Sequence, residues 1–216
     1  EKYKGDALLQ KTYTVDFLTK KRVQNNGELQ QFYIEDSHPA IIDHDTWEAV
    51  QLEIERRKKF CNEHNIKKIE FSTNDNPFAG RVICGNCGGL FGRKVWNSNN
   101  EKLRRIIWQC NGKYIEKGVI GCDNKHLDDK VFYDAIVAVF NSLVENKVDF
   151  VEKWNKMLKS EDLLKKVTAK RFISVFKNAN LLTCFDENLY FMLVEKIIVY
   201  EGNRLVVGLL DGTEVE

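Results

Sequence analysis

Four cysteines in the middle of this chain constrain its fold more than any other feature. Cys84 and Cys87 stand two residues apart in CGNCGGLFGRKVW; Cys110 follows after 22 residues and Cys122 after a further 11. A structural zinc ion takes four thiolates at the corners of a tetrahedron, each about 2.3 Å from the metal. A C-x2-C pair supplies two of them from one tight turn. Gly85, Gly88 and Gly89 let the backbone take that turn and approach the sulfurs. The 22-residue gap fits a two-stranded hairpin that brings Cys110 back to the first pair, which is the layout of a zinc ribbon.

The expected ligands are therefore Cys84, Cys87, Cys110 and Cys122. Four protein thiolates leave no open position for water, so the metal is expected to be structural rather than catalytic. Competing readings are a redox C-x-x-C, which lacks a surrounding βαβ pattern here, and four unrelated buried thiols. His126 in place of Cys122 is a further alternative. Cys61 and Cys184 read as ordinary thiols, and His38, His44 and His64 are scattered without a partner pattern. Six cysteines in 216 residues are too sparse for a disulfide scaffold. With no secretory signal at EKYKGD, they point to a reducing, cytoplasmic setting. That opening has no Met and begins mid-pattern, so the chain reads as a fragment of something longer. No run of about 18 apolar residues exists, and no membrane partner is expected.

Net charge is +1 overall, which singles out no partner. Its distribution says more. Residues 80–127 carry 9 Lys+Arg against 3 Asp+Glu, while the segments on either side are slightly acidic. The cysteine-bearing segment is thus the basic one, and such a patch attracts a phosphate backbone. A merely solvated face is the plainer alternative.

The hairpin expected over 90–108 concentrates this charge. It carries Arg93, Lys94, Lys102, Arg104 and Arg105, with Trp96 and the amides Asn97, Asn99 and Asn100. A two-stranded ribbon fits the DNA major groove; Arg and Asn read base edges there, and Lys and Arg hold phosphates. The alternative is that Trp96 and Trp108 pair across the hairpin as core while the charges only solubilise it.

Along the rest of the chain, residues 6–18 alternate like a strand. Residues 19–30 read as a polar loop or hairpin tip turning at Asn26-Gly27, and QFYIED returns as a short strand. DHDTWEAVQLEIERRKKF predicts a helix capped by Asp43 or Asp45, with Trp47, Val50 and Ile54 on one face and the basic run 56–59 at its C-terminal dipole. Residues 71–79, FSTNDNPFA, read as a linker. Helices are expected over 128–145, with Val131, Ala135, Val139 and Leu143 inward, and over 148–158, 161–178 and 186–196. KIIVYEGNRLVVGLLDGTEVE reads as strand, turn, strand, Asp-Gly turn, strand. The fold class is α+β, divided into 1–70, the linker 71–79, and 80–216. The last part would hold a helical insertion at 128–196 and closing strands at 197–216.

No phosphate-binding Gly-rich loop, H-E-x-x-H or assembled nucleophile–base pattern is found, so no catalytic residue is assigned. Several stretches together, however, resemble one family. YKGDALLQKTYT is similar to a strand after a Tyr-x-Gly motif. HPAIIDHDTWEAVQ is similar to a helix entry, FAGRVICGNCGGLFGRK with WQC and GC to a zinc ribbon, and LVEKIIVYEGNRLVVGLLDGTEVE to a closing hairpin. The family they resemble is the large serine recombinases of phages and transposons, in their C-terminal part.

The resemblance implies zinc on the four cysteines and contact with duplex DNA at an attachment site. That contact would involve the linker, the ribbon hairpin and, in the first domain, Lys20, Lys21 and Arg22. It also implies self-association with other recombinase subunits during synapsis. The family's chemistry belongs to a resolvase-like domain whose serine forms a 5′-phosphoseryl link, and these residues do not include it. Many members insert a long coiled-coil hairpin. Residues 145–185 lack a sustained heptad pattern and are too short for one. A zinc-stabilised protein-interaction module is the alternative function of a different class.

Overall fold

The computed structural model describes residues 1–66 and 76–216. Of the expected linker, residues 71–75 lie outside the described residues, whereas Phe78 is fully buried. The architecture is α+β, and the chain divides into units Glu1–Glu55 and Arg56–Glu216.

The first unit opens on a 3-10 turn, Lys2–Lys4, closed by Gly5 at φ 101°, where a Cβ would meet the His38 carbonyl at 2.8 Å. Four short strands follow: β1 (Ala7–Leu9), β2 (Thr12–Asp16), β3 (Lys21–Gln24) and β4 (Phe32–Ile34). They form two antiparallel pairs, β1 with β4 and β2 with β3. The single strand expected over 6–18 is broken at Gln10, whose φ of 57° cannot continue an extended chain. The hairpin turn falls at 17–20 rather than at Asn26-Gly27. Asp16 builds it by accepting from the Leu18 amide at 2.9 Å and the Thr19 hydroxyl at 2.5 Å. The Asn-Gly stretch belongs instead to a loop organised by buried Asn25. Its Oδ1 accepts from the Gly27 and Leu29 amides, and its Nδ2 donates to the carbonyls of Gln10 and Leu29.

Helix α1 (His44–Glu63) begins on Asp43, whose carboxylate accepts from the Thr46 amide at 2.9 Å. The helix runs one turn beyond the basic residues 56–59, so they lie inside it and not in its last turn. Its expected inward face is also not sealed: Val50 is 45% and Ile54 55% exposed, and only Ala49 is buried.

The second unit is built on two sheets. Strands β5 (Val82–Cys84), β6 (Phe91–Trp96) and β7 (Arg105–Cys110) begin it, followed by the small hairpin β8 (Tyr114–Glu116) and β9 (Val119–Ile120), then β10 (Leu127–Asp128). Helices α2 (Asp129–Glu145), α3 (Lys147–Leu158), α4 (Leu163–Lys177) and α5 (Glu187–Leu193) come next, and β11 (Val194–Val199), β12 (Leu205–Leu209) and β13 (Glu214–Val215) end the chain. One sheet has the order β10-β7-β6 and the other β13-β12-β11-β5. The strand that delivers Cys84 thus runs parallel to the C-terminal strand β11, in register Cys84 with Val199.

Helix α2 buries Phe132, Ile136, Val139, Phe140 and Leu143, while Val131 is exposed. Of the expected inward residues, Val139 and Leu143 are buried and Ala135 is half-buried; Phe132, Ile136 and Phe140 widen the stripe, because the larger side chains bury more apolar area. Phe78, Trp108, Phe132 and Tyr190 meet at centroid distances of 5.1 to 6.1 Å. Helices α3 and α4 are short and pack on each other around Trp154, which stacks on Phe176 at 5.2 Å. The Trp154 indole donates to Asp211 at 2.8 Å, pinning α3 to the Asp-Gly turn before β13. Helix α5 is capped by Asp186 but stops at Leu193, three residues short of expectation, because Val194 onward pairs with β12.

Candidate metal centre and nucleic-acid interface

The first knuckle hangs between two strands. Cys84 at the end of β5 receives an amide bond from Gly88 at 2.8 Å and donates its own to Gly89 at 2.7 Å. Gly88 closes the turn at φ 71°. The Gly85 amide bonds to Val199, and the Tyr200 ring lies so close to Gly85 that a Cβ would stand 2.4 Å from it. The second knuckle is the end of β7. The Asn111 amide bonds to Leu90, and after the β8–β9 hairpin the Cys122 amide bonds to Gly112 at 2.8 Å.

These turns gather all four Sγ atoms of Cys84, Cys87, Cys110 and Cys122 within 4.8 Å of one another. Cys84 and Cys122 sulfurs are 3.6 Å apart, and those of Cys87 and Cys110 are 3.4 Å apart. Disulfides would need about 2.05 Å. A tetrahedron with arms of about 2.3 Å has edges of about 3.8 Å, so the set fits one zinc ion. Cys84, Cys110 and Cys122 are buried and Cys87 is exposed. Burial is the largest influence on Cys84, yet the Asn124 amide and the backbone amides of Cys87 and Asn86 outweigh it and bring its pKa to about 7. Burial, then the neighbouring sulfurs, pushes Cys110 well above the usual thiol range. Asn124, 2% exposed, donates to Cys84 Sγ at 3.3 Å and to the Val199 carbonyl at 2.9 Å. His126 is not among the clustered ligands; its ring lies 4.4 Å from that of Trp96, tilted by 52°.

The hairpin β6–β7 has its residues in fixed register. Trp96 faces Arg105, and Arg93 faces Trp108, so the two tryptophans do not pair. Trp108 is core and donates its indole to Asp129 at 2.6 Å. Arg93 is drawn to the same carboxylate oxygen, 3.6 Å away, with its side chain 25% exposed. On the other face, the Arg105 guanidinium lies 5.3 Å from the Trp96 ring, 3.3 Å from His126 Nε2 and 3.2 Å from Asp128. Lys94, Lys102 and Arg104 are exposed and, among the described residues, form no ion pair.

Two of the hairpin amides shape the turn. Asn97, at φ 54°, donates to the Leu103 carbonyl, and Asn100 accepts from the Lys102 amide, both at 3.1 Å. The Asn99 side chain meets the Ser98 hydroxyl at 3.5 Å. An open groove beside the hairpin mixes Arg104 and Arg105 with Asp128, Asp129 and Asp134, so its lining has no uniform sign. In the first unit, Lys20, Lys21 and Arg22 are exposed at and after the β2–β3 turn. Asn124 and Tyr200 were not singled out by sequence. Asn124 alone carried a signal, as an amide two residues past a ligand cysteine.

A four-thiol ribbon whose leading strand is built into an α+β unit defines a class, the zinc ribbons. Two family models match, Recombinase zinc beta ribbon domain over residues 77–141 and Recombinase over residues 1–57. The chain thus carries a Recombinase domain followed by a recombinase zinc beta ribbon domain. A crystal structure of an LSR–DNA complex is similar over 83% of this chain and 68% of that one, at 15% identity and a TM-score of 0.50, a likeness of fold. A structure concerning the attP site of a Listeria innocua prophage aligns over 82% of this chain and 58% of that one, at 17% identity and a TM-score of 0.37. No curated protein matches. No helix among the described residues is long and apolar enough to cross a membrane.

Proposed function

We propose that this chain binds duplex DNA sequence-specifically at an attachment site, as the DNA-positioning part of a serine site-specific recombinase that moves a mobile element. Zinc on Cys84, Cys87, Cys110 and Cys122 would be structural, locking both knuckles so that the β6–β7 hairpin is held at a fixed angle. Strand exchange would require association with other subunits.

One observation carries this reading: exposed Lys94, Lys102 and Arg104 lie on a two-stranded antiparallel ribbon that ends at the four-thiol centre. A ribbon of this width enters a major groove, where cations replace condensed counterions. Of the residues proposed for contact, Lys94, Lys102, Arg104, Lys20, Lys21 and Arg22, all exposed, would hold phosphates. Trp96, Asn97, Asn99, Asn100 and Arg105 lie at the tip end of the hairpin, where base edges would be met. Arg93 is the weakest member, because Asp129 already holds it.

The same ion pairs favour a second reading. Arg93 with Asp129 and Arg105 with Asp128 neutralise part of the patch, as a zinc-stabilised protein-interaction module would tolerate. Selection from a random duplex library by the zinc-loaded protein separates the two. A recovered motif of about 10–20 base pairs supports the recombinase reading, and no enrichment over a C84A/C87A variant supports the other.

A further inference from the structure

The hairpin tip of the first unit has a composition that packing within that unit does not explain. Phe17 is 90% and Leu18 89% exposed, and Val15 beside them is 59% exposed. Turn positions usually hold Gly, Asn, Asp or Ser. A single exposed apolar side chain needs no explanation, but two large adjacent ones at a protruding tip do.

The tip is also ordered and cationic. Asp16 holds it through the Leu18 amide and the Thr19 hydroxyl, and Lys20 completes the turn at φ 54°. Asp16 is the only acid between residues 12 and 24, and it is engaged inside the turn. Lys20, Lys21 and Arg22 follow, all exposed. An apolar point in a hydrogen-bonded turn, followed by three cations, matches a polyanion with an apolar interior, which is duplex DNA with its stacked bases. Apolar wedges between base steps, set among Lys and Arg, unstack the step and kink the duplex.

We propose that Phe17 and Leu18 form an intercalating wedge that kinks the DNA, with Lys20, Lys21 and Arg22 holding the phosphates on either side. This rests on the duplex-DNA reading above and adds a deformation that the ribbon alone does not require.

The test uses the zinc-loaded full chain and 30-base-pair duplexes carrying donor and acceptor dyes at their ends. Binding should raise energy transfer, as a kink of about 20–90° brings the ends together. F17S/L18S should lose that rise while keeping the wild-type dependence of log K on log salt, since no cation is removed. K20A/K21A/R22A should lower that slope by up to about 3 units. Unchanged hydrogen-exchange protection of Tyr13 and Val23 establishes that the variant hairpins are folded.

Wild-type binding without a change in transfer, or a rise that survives in F17S/L18S, overturns the wedge and leaves the DNA reading standing. Self-association abolished by F17S/L18S, with transfer unaffected, overturns it in favour of a second copy of this chain as the partner. Failure of the wild type to bind any duplex overturns both.

Discussion

Asn124 donates its side-chain amide to Cys84 Sγ across 3.3 Å. The same nitrogen donates to the Val199 carbonyl, so one buried amide ties a candidate metal ligand to the C-terminal sheet. A bond of this kind orients the sulfur and stabilises its thiolate. Asn124→Ala should weaken zinc binding by about 10–100-fold, the usual cost of removing such a partner. Competition with a chromophoric chelator measures it. An affinity equal to wild type would show that the amide only fills space.

Because Cys84 lies on β5 and β5 pairs in parallel with β11, metal loss should spread beyond the ribbon. Structural zinc contributes about 10–16 kcal/mol of binding free energy in small metallo-domains. Cys87→Ala, or chelation, should remove amide protection across 80–127 and also loosen Val194–Val199. Hydrogen exchange read by mass spectrometry checks both segments. Protection lost in the ribbon alone would mean the C-terminal sheet stands without it.

Trp154 has no exposed surface and bonds to Asp211. Trp154→Ala should destabilise the second unit by about 3–5 kcal/mol. Trp154→Phe keeps a ring but leaves Asp211 without the indole donor, and should cost about 1–3 kcal/mol. Denaturant midpoints of the two variants give the ordering.

In the first unit, the Lys4 ammonium, then the Tyr33 hydroxyl and the Asp36 amide, hold the Asp6 carboxyl well below the usual carboxylate range. Folding therefore favours the ionised form. The stabilisation is complete above the unfolded carboxylate pKa of about 4 and is lost as pH falls below it. The β1–β4 pair should lose amide protection on acidification, and Asp6→Asn should be weaker at neutral pH with a flatter acid response. Parallel acid responses in the two proteins would assign the effect to other groups.

The zinc-ribbon layout was legible in the sequence because it depends on four residues of one chemistry at readable spacings. The helices were legible from their apolar periods and, for α1, from the cap at Asp43. What was not legible depended on tertiary partners. The break at Gln10 follows from a single backbone angle. The addition of Phe132 and Phe140 to the buried stripe of α2 is set by an aromatic core drawn from distant segments. The parallel pairing of β5 with β11 joins residues more than a hundred positions apart. On the hairpin, charge type could be read but orientation could not. Arg93 and Lys94 are adjacent in sequence, yet one lies against Asp129 and the other is exposed.

That difference yields a paired prediction. Arg93→Ala should lower the stability of the second unit, through its lost partner Asp129, and change the salt slope of DNA binding little. Lys94→Ala should leave stability within about 0.5 kcal/mol and reduce the slope by about 1. Thermal unfolding alongside DNA titration separates them. Equal effects on both readouts would place the two side chains in one role.

The most direct measurement is the affinity of the zinc-loaded protein for duplex DNA across a salt series, repeated after chelation. Log K should fall linearly with log salt, with a slope of about −0.9 for each phosphate held, and chelation should weaken binding by collapsing the ribbon. Affinity independent of salt, or equal with and without zinc, would contradict this.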